Sequence, residues 1–507
     1  MARRLIMLVA VLAALAVLYA AAWQTQPKSA TASSASTSSG TASQAGSTAA
    51  VTSITRSCPP PGPGTGEGHV AVVAVPAQAG AGGAAGTGSA QLSAIPPAAT
   101  GPAASKPASK AGTKTSAKTS AQAAAPETVT TPGAPTVSVA PQAASYGGTA
   151  IAATGKMAEG FEAEMATSSG VGVVSCTHPG ADMWFVGTGT SAGASASQLY
   201  LANTGNMAAT VDVTLITDAG IQSGLSSAIT VAPNGYQSVN LTSYVRGSVV
   251  MAVHVQTSSG QVAAAVWQSG GSGGSWLPQA AEPSTRLVIP GLVSASSAAH
   301  LFVVVPGAAD AHVTVKALTP HGPFLPFGTQ AEDAPAAASS SIALTSLGAA
   351  AASLVLTSNV PITAGIVVPG SGIGAFSAAA SPITQQGVIA GNPAAGQGTV
   401  SLVLSAPAGA ASATVTVLPS GTGGPLMPKV VQVPASSTVA VPVQAPKGNA
   451  PFAIVVTPGS SSGPLYAARV VTSGGASGPV SSILPVSSAP TEVELSPARD
   501  SYTAILP

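Results

Sequence analysis

MAVHVQTSSGQVAAAVWQSG, residues Met251 to Gly270, lies one hundred residues ahead of AASLVLTSNVPITAGIVVPG, residues Ala351 to Gly370, and the two align without a gap. Each reads as two short apolar strands about a turn, the pattern of a β-hairpin. Another hundred residues on, Phe452 to Thr457 (FAIVVT) matches Ala252 to Thr257. After four extra residues, Tyr466 to Gly474 (YAARVVTSG) matches Val262 to Gly270. Neighbouring strands keep nearly the same step. Val211-Asp212-Val213 corresponds to Val313-Thr314-Val315 and Val415-Thr416-Val417, and Val239-Asn240-Leu241 to Ile342-Ala343-Leu344 and Val439-Ala440-Val441. Trp184-Phe185-Val186-Gly187, Val288-Ile289-Pro290-Gly291 and Val388-Ile389-Ala390-Gly391 lead into the three copies.

A period of this length, holding six or seven short strands bounded by Gly, Pro, Ser and Asn, predicts a β-sandwich. It is about twice the roughly 40–50 residues of a four-stranded propeller blade. Alternation of Val211, Val213 and Leu215 with Thr210, Asp212 and Thr214 predicts sheets with one buried and one wet face. Composition agrees: 46% of residues are hydrophobic and only 6% charged, with 57 Gly and 43 Pro. Long helices need Lys, Glu and Arg on their wet face, which this chain does not supply. The expected fold class is all-β: tandem immunoglobulin-like β-sandwich modules after a single N-terminal transmembrane helix and a disordered stalk.

Met1-Ala2-Arg3-Arg4 precedes an apolar stretch from Leu5 to Trp23. As a helix it would span about 28 Å, close to the roughly 30 Å of a hydrocarbon core. Its length favours an uncleaved anchor, although Ala20-Ala21-Ala22 also suits signal cleavage. Either way, Arg3 and Arg4 place everything after Trp23 outside the membrane. The expected organisation is an anchor or signal peptide at 1–23, a Ser/Thr/Ala stalk at 24–50 and a divergent β module at 51–180. Repeats follow at 181–285, 286–385 and 386–507. The divergent module carries a disordered insertion at 76–145, in which Lys106, Lys110, Lys114 and Lys118 recur every four residues. They read as an electrostatic tether to anionic wall polymers or lipid headgroups, set against a plain solvated linker.

The two cysteines, Cys58 and Cys176, lie on the exported side, where a disulfide is the expected state and two separate buried thiols the alternative. No histidine pair has metal-ligand spacing, and the slot of His254 is filled by Leu354 and Ile454 in the other repeats, which marks a strand position. His300 and His312 flank strand starts without partners. Glu159, Glu162 and Glu164 cluster in GKMAEGFEAEMA and read as a solvated turn in preference to a cation site. No catalytic residue, cofactor or metal is expected. Phe324 and Phe327, in a loop whose counterparts lack aromatics, and Trp267 and Trp276, about another turn, are the candidate ligand-contact rings, against the alternative that they cover their own sandwiches. A net charge of +1 offers no pull towards nucleic acid.

With its N-terminal anchor, the SCPPPGPGTG segment about Cys58, VVSCTHP about Cys176 and three repeats, the chain resembles an uncharacterised actinobacterial family of exported proteins. The resemblance implies localisation, not mechanism. The expected function is a non-catalytic, membrane-anchored cell-envelope scaffold, a rod of sandwiches contacting wall polymers or envelope proteins. The alternatives are a carbohydrate-binding accessory in wall or polysaccharide assembly and, third, a β-rich hydrolase.

Overall fold

Eight strand positions recur four times along the chain in the computed structural model. The first strands are Ser53–Cys58, Asp182–Thr188, Ser284–Leu292 and Gly387–Asn392, and the second are Gly68–Ala74, Ala196–Asn203, Ala299–Val305 and Thr399–Ala406. The third are Ser89–Ala94, Ala209–Thr217, Ala311–Thr319 and Ala411–Pro419, paired with the fourth, Glu127–Val129, Ile229–Val231, Glu332–Ala334 and Lys429–Val433. Fifth strands are Thr136–Ala140, Gly235–Asn240, Ala338–Leu344 and Ser437–Val443. Sixth and seventh are Thr149–Thr154 and Phe161–Thr167, Val250–Ser259 and Ala263–Gly270, and Phe452–Pro458 and Tyr466–Gly475. In the third unit one long strand, Ala352–Val368, serves as both. Eighth strands are Val173–Ser175, Gly273–Leu277, Ala375–Ala378 and Gly478–Pro485.

The structure describes residues 47–77, 87–97, 126–167, 172–223, 225, 228–271, 273–292, 299–326, 332–344, 347, 351–370, 373–421, 425–475 and 478–495. The expected anchor at 1–23, nearly all of the stalk, the four lysines and Phe327 lie outside them. Among the described residues the protein is all-β, with no helix long and apolar enough to cross a membrane.

Every unit pairs its strands in one antiparallel pattern. One sheet has the order first, sixth, third, fourth; the other has fifth, second, seventh, eighth. The segment about Cys58 and Cys176 follows this order too and is a fourth unit of the same construction. Within 76–145, expected as a disordered basic insertion, lie its third, fourth and fifth strands. Their Ala/Ser/Thr-rich sequences carry little hydrophobic signal, and burial of Ala90, Leu92 and Val129 against the first core fixes them.

Three expectations are corrected. Met251 to Gly270 is not a hairpin, because its two strands belong to different sheets of one sandwich. Ala352–Val368 makes the reason visible: the strand runs through Pro361 from one sheet into the other. The order also departs from the immunoglobulin one, in which the first two strands share a sheet; here they lie in opposite sheets. Periodicity locates strands but does not select their partners.

The third correction concerns the rod. The first sheet of each unit docks on the second sheet of the next. Ile95 meets Ala202 and Ala263 at one seam, the core of the second unit takes in Phe302, Val304 and Phe376 of the third, and Val288, Leu318 and Val355 pack with Tyr466 of the fourth. At the last seam Val388, Ala390, Leu418 and Val455 of the fourth unit pack on Ala71 and Val73 of the first. Four like interfaces thus close a ring, the outcome of a head-to-tail contact whose rotation closes. The backbones come close at the seams: a Cβ at Gly291 would lie 2.6 Å from that of Ala468, and one at Gly391 3.1 Å from that of Ala71.

Ring closure explains the scarcity of charge. Alternation holds on the third strand, where Val211, Val213 and Leu215 are buried and Asp212 is exposed. On the first and seventh strands of the second unit nearly every residue is buried, because the next unit covers the outer face of the first strand and the preceding unit that of the seventh. Strands buried on both faces read as continuous apolar runs. Residues 48–495 form one compact unit.

Candidate functional site

The eighth strands of successive units touch one another around the middle of the ring. The segments that follow them, linking one unit to the next, surround a cavity of about 320 Å³ to which all four units contribute. Arg56, Glu162, Cys176 and His178 come from the first unit, Phe185 and Gln279 from the second, Ser381 from the third and Ser487 from the fourth. A second cavity of about 440 Å³ shares His178 and Gln279 with it and reaches Asp182, Arg286 and Tyr466.

Arg56 and Glu162 face each other on the first and seventh strands of the first unit. The Arg56 Nη2 to Glu162 Oε2 distance is 3.8 Å, and the side chains are only 11% and 4% exposed. Burial pushes the Glu162 carboxyl up to about 8, against the pull of Arg56 and with a further push from Glu164. Burial and the neighbouring Arg56 hold the His178 imidazole below its ordinary range. The disulfide between Cys58 and Cys176, with Cα atoms 4.3 Å apart, forms one wall.

Glu164, two residues further on the same strand, lies at the closing seam. The amides of Ala390 and Gly391 donate to its carboxylate at 3.0 and 3.2 Å. Arg469 of the fourth unit, fully buried, approaches it at 3.5 Å and donates to the Gly391 carbonyl at 2.7 Å. Burial raises the Glu164 carboxyl and lowers the Arg469 guanidinium from their ordinary values, each opposed by the other's charge. The expectation of a solvated turn at Glu159, Glu162 and Glu164 is therefore corrected, since all three are buried. Their surroundings come from residues distant in sequence, which no local pattern reveals.

Two of the candidate ligand-contact rings, Trp267 and Trp276, are corrected as well. Trp267 and Trp276 are each 2% exposed and meet edge to face at 5.0 Å at the seam between the first and second units. Gly62, from the proline-rich segment after Cys58, lies so near that a Cβ there would stand 2.5 Å from the Trp267 ring. Phe324 is half-buried against the core of the third unit. His254 occupies a strand position as expected, stacked on Trp184 at 3.8 Å with Nε2 3.1 Å from Asp182. His312 contacts Asp333 at the surface. Among the described residues no group of three or more His, Cys, Asp or Glu could hold a metal ion.

Exposed large aliphatic side chains occur at several places among the described residues, among them Val139, Met207, Val249, Val430, Val493 and Leu495. Ile221 (54% exposed), Leu325 (38%), Leu426 (43%) and Met427 (93%) all belong to the connection between third and fourth strands, in the second, third and fourth units respectively. The third strand runs in the same direction as the first, both being antiparallel to the sixth. These connections consequently lie on the side where the first strand ends, opposite the linkers about the central cavity.

Residues 137–444 match a family of unknown function, DUF5719, over more than half of the chain. The chain belongs to this family. The DUF5719 match begins in the fifth strand of the first unit and ends just after the fifth strand of the fourth, so it runs through three of the four seams. No curated protein and no solved structure matches the chain.

The Glu162 carboxyl gives a prediction. Its folded pKa, about 8, lies above its ordinary 4.5, so the folded state holds the proton where the unfolded state has released it. The stability it contributes is complete below about pH 4.5 and is lost as pH rises through 8. Denaturant titrations should show wild type losing about 2–4 kcal/mol more than Glu162→Gln between pH 5 and pH 9. Parallel pH profiles would refute this assignment.

Proposed function

We propose that the protein is a non-catalytic cell-envelope scaffold, tethered to the membrane through residues 1–23, that presents one side of the ring to wall polymers or envelope proteins outside it. The observation that carries this reading is that Ile221, Leu325, Leu426 and Met427, four of the ten exposed large aliphatic side chains among the described residues, recur in one connection of three units. Exposed aliphatic groups grouped on one side of a well-packed molecule are the usual mark of a contact surface. In sequence, Lys106, Lys110, Lys114 and Lys118 fall between the same two strands of the first unit, so the basic tether belongs to the same reading. The carbohydrate-accessory alternative relied on exposed rings, and burial of Trp267 and Trp276 removes much of its support.

The test is retention on purified actinobacterial wall and membrane fractions across a salt series. The triple variant Ile221→Ser, Leu325→Ser, Met427→Ser is expected to lose at least fivefold in retention with unchanged melting, since exposed positions contribute little to stability. A chain lacking residues 98–125 should lose the salt-sensitive share. Undiminished, salt-insensitive binding by both would sink the proposal.

A further inference from the structure

The cavity at the centre of the ring has a feature that scaffolding does not require. Arg56 is the one cationic side chain among its lining residues, and it is largely removed from water. Its counter-charge is weak. The contact with Glu162, at 3.8 Å, is longer than a hydrogen bond, and burial keeps that carboxyl protonated below about pH 8. At neutral pH the cavity therefore offers a buried guanidinium and a buried carboxylic O–H, with the exposed imidazole of His178 at its margin as a third donor, and a net positive charge. A guanidinium fork matches the two oxygens of a carboxylate or phosphate, and the match strengthens where water is excluded. About 320 Å³, with Ser487 and Gln279 on the walls, suits a small molecule or a single headgroup and is too small for a protein segment of any length.

We propose that the central cavity is a binding site for a small organic anion bearing a carboxylate or phosphate group, with Arg56 as the anchoring cation and Glu162 and His178 as further donors. The site is assembled only when the ring is closed, because its walls come from all four units. It also answers to pH. Ionisation of Glu162 neutralises Arg56 and weakens the anion. The charged and titratable groups facing Glu162 are Arg56, Glu164 on its own strand and His178 across the cavity; Glu164 is engaged by Arg469 and the Ala390 and Gly391 amides. Asp182, Glu282 and Arg286 lie in the adjoining cavity, beyond His178.

Calorimetric titration of the full chain in mild detergent, with inorganic phosphate and separately with succinate, tests this at pH 6.5 and pH 9. One of the two probes is expected to bind at pH 6.5 and at least tenfold more weakly at pH 9, and which one binds names the headgroup. Arg56→Met should abolish binding. Glu162→Gln, which keeps the neutral form at every pH, should bind equally at both and guards against an Arg56 variant that fails to fold. Failure of both probes with folded wild type at pH 6.5 overturns the proposal, as does a wild-type affinity that does not change with pH. Neither result bears on the outer contact surface, which lies on the opposite side of the ring.

Discussion

Replacing Glu164 with alanine is expected to destabilise the protein by about 3–5 kcal/mol, because it strands a buried guanidinium. Arg469 has no exposure, and among the described residues its Nε and Nη2 find no hydrogen-bond acceptor, so Glu164 and the Gly391 carbonyl are what compensate its charge. The amides of Ala390 and Gly391 lose their acceptor in the same step. The pair as a whole need not be stabilising, since two charges have been taken from water to make it. Glu164→Ala with Arg469→Leu should therefore cost clearly less than Glu164→Ala alone. Denaturant unfolding of the two single variants and the double variant gives the coupling directly. A cost below about 1 kcal/mol for Glu164→Ala would show that the closing seam does not depend on this pair. The seam is the informative place to look, because it alone joins the two ends of the described chain, where the Val51 amide also donates to Thr491 at 2.9 Å.

Removal of the disulfide, by Cys58→Ala with Cys176→Ala, is expected to cost about 4–5 kcal/mol on the chain-entropy argument. The bond joins residues 118 apart in sequence, the last residue of the first strand of the first unit and the residue immediately after its eighth. Beside it Ser57 and Thr177 exchange two backbone hydrogen bonds at 2.8 and 3.1 Å, so both ends are already held in the native state. The loss falls on the unfolded state, which regains the freedom of a long loop that includes residues 98–125. The denaturant midpoint of the variant should drop accordingly, and that of wild type should drop equally after reduction under denaturing conditions and refolding with reductant. Equal midpoints with and without the bond would mean that the ring contacts alone fix the first unit. Because Cys176 lines the central cavity, the variant should also bind the anion probe more weakly.

Sequence alone was enough for whatever depends on local pattern. The step of one hundred residues from Met251 to Ala351, and the alternation about Val211, located strands and three of the four units, since each strand advertises its buried residues within a few positions. Cys58 and Cys176 were legible as a pair because the chain holds only two cysteines. The first unit's third to fifth strands were less so, because Ala and Ser bury almost as little area as they expose and leave a faint signal. Tertiary structure decided the rest. Which sheet takes Val250–Ser259 and which takes Ala263–Gly270, the closing of a ring in place of a rod, the burial of Trp267 under Gly62, and the meeting of Glu164 with Arg469 all join residues dozens to hundreds of positions apart. Each is a single contact without periodicity, and its free energy exists only once both partners are already in place.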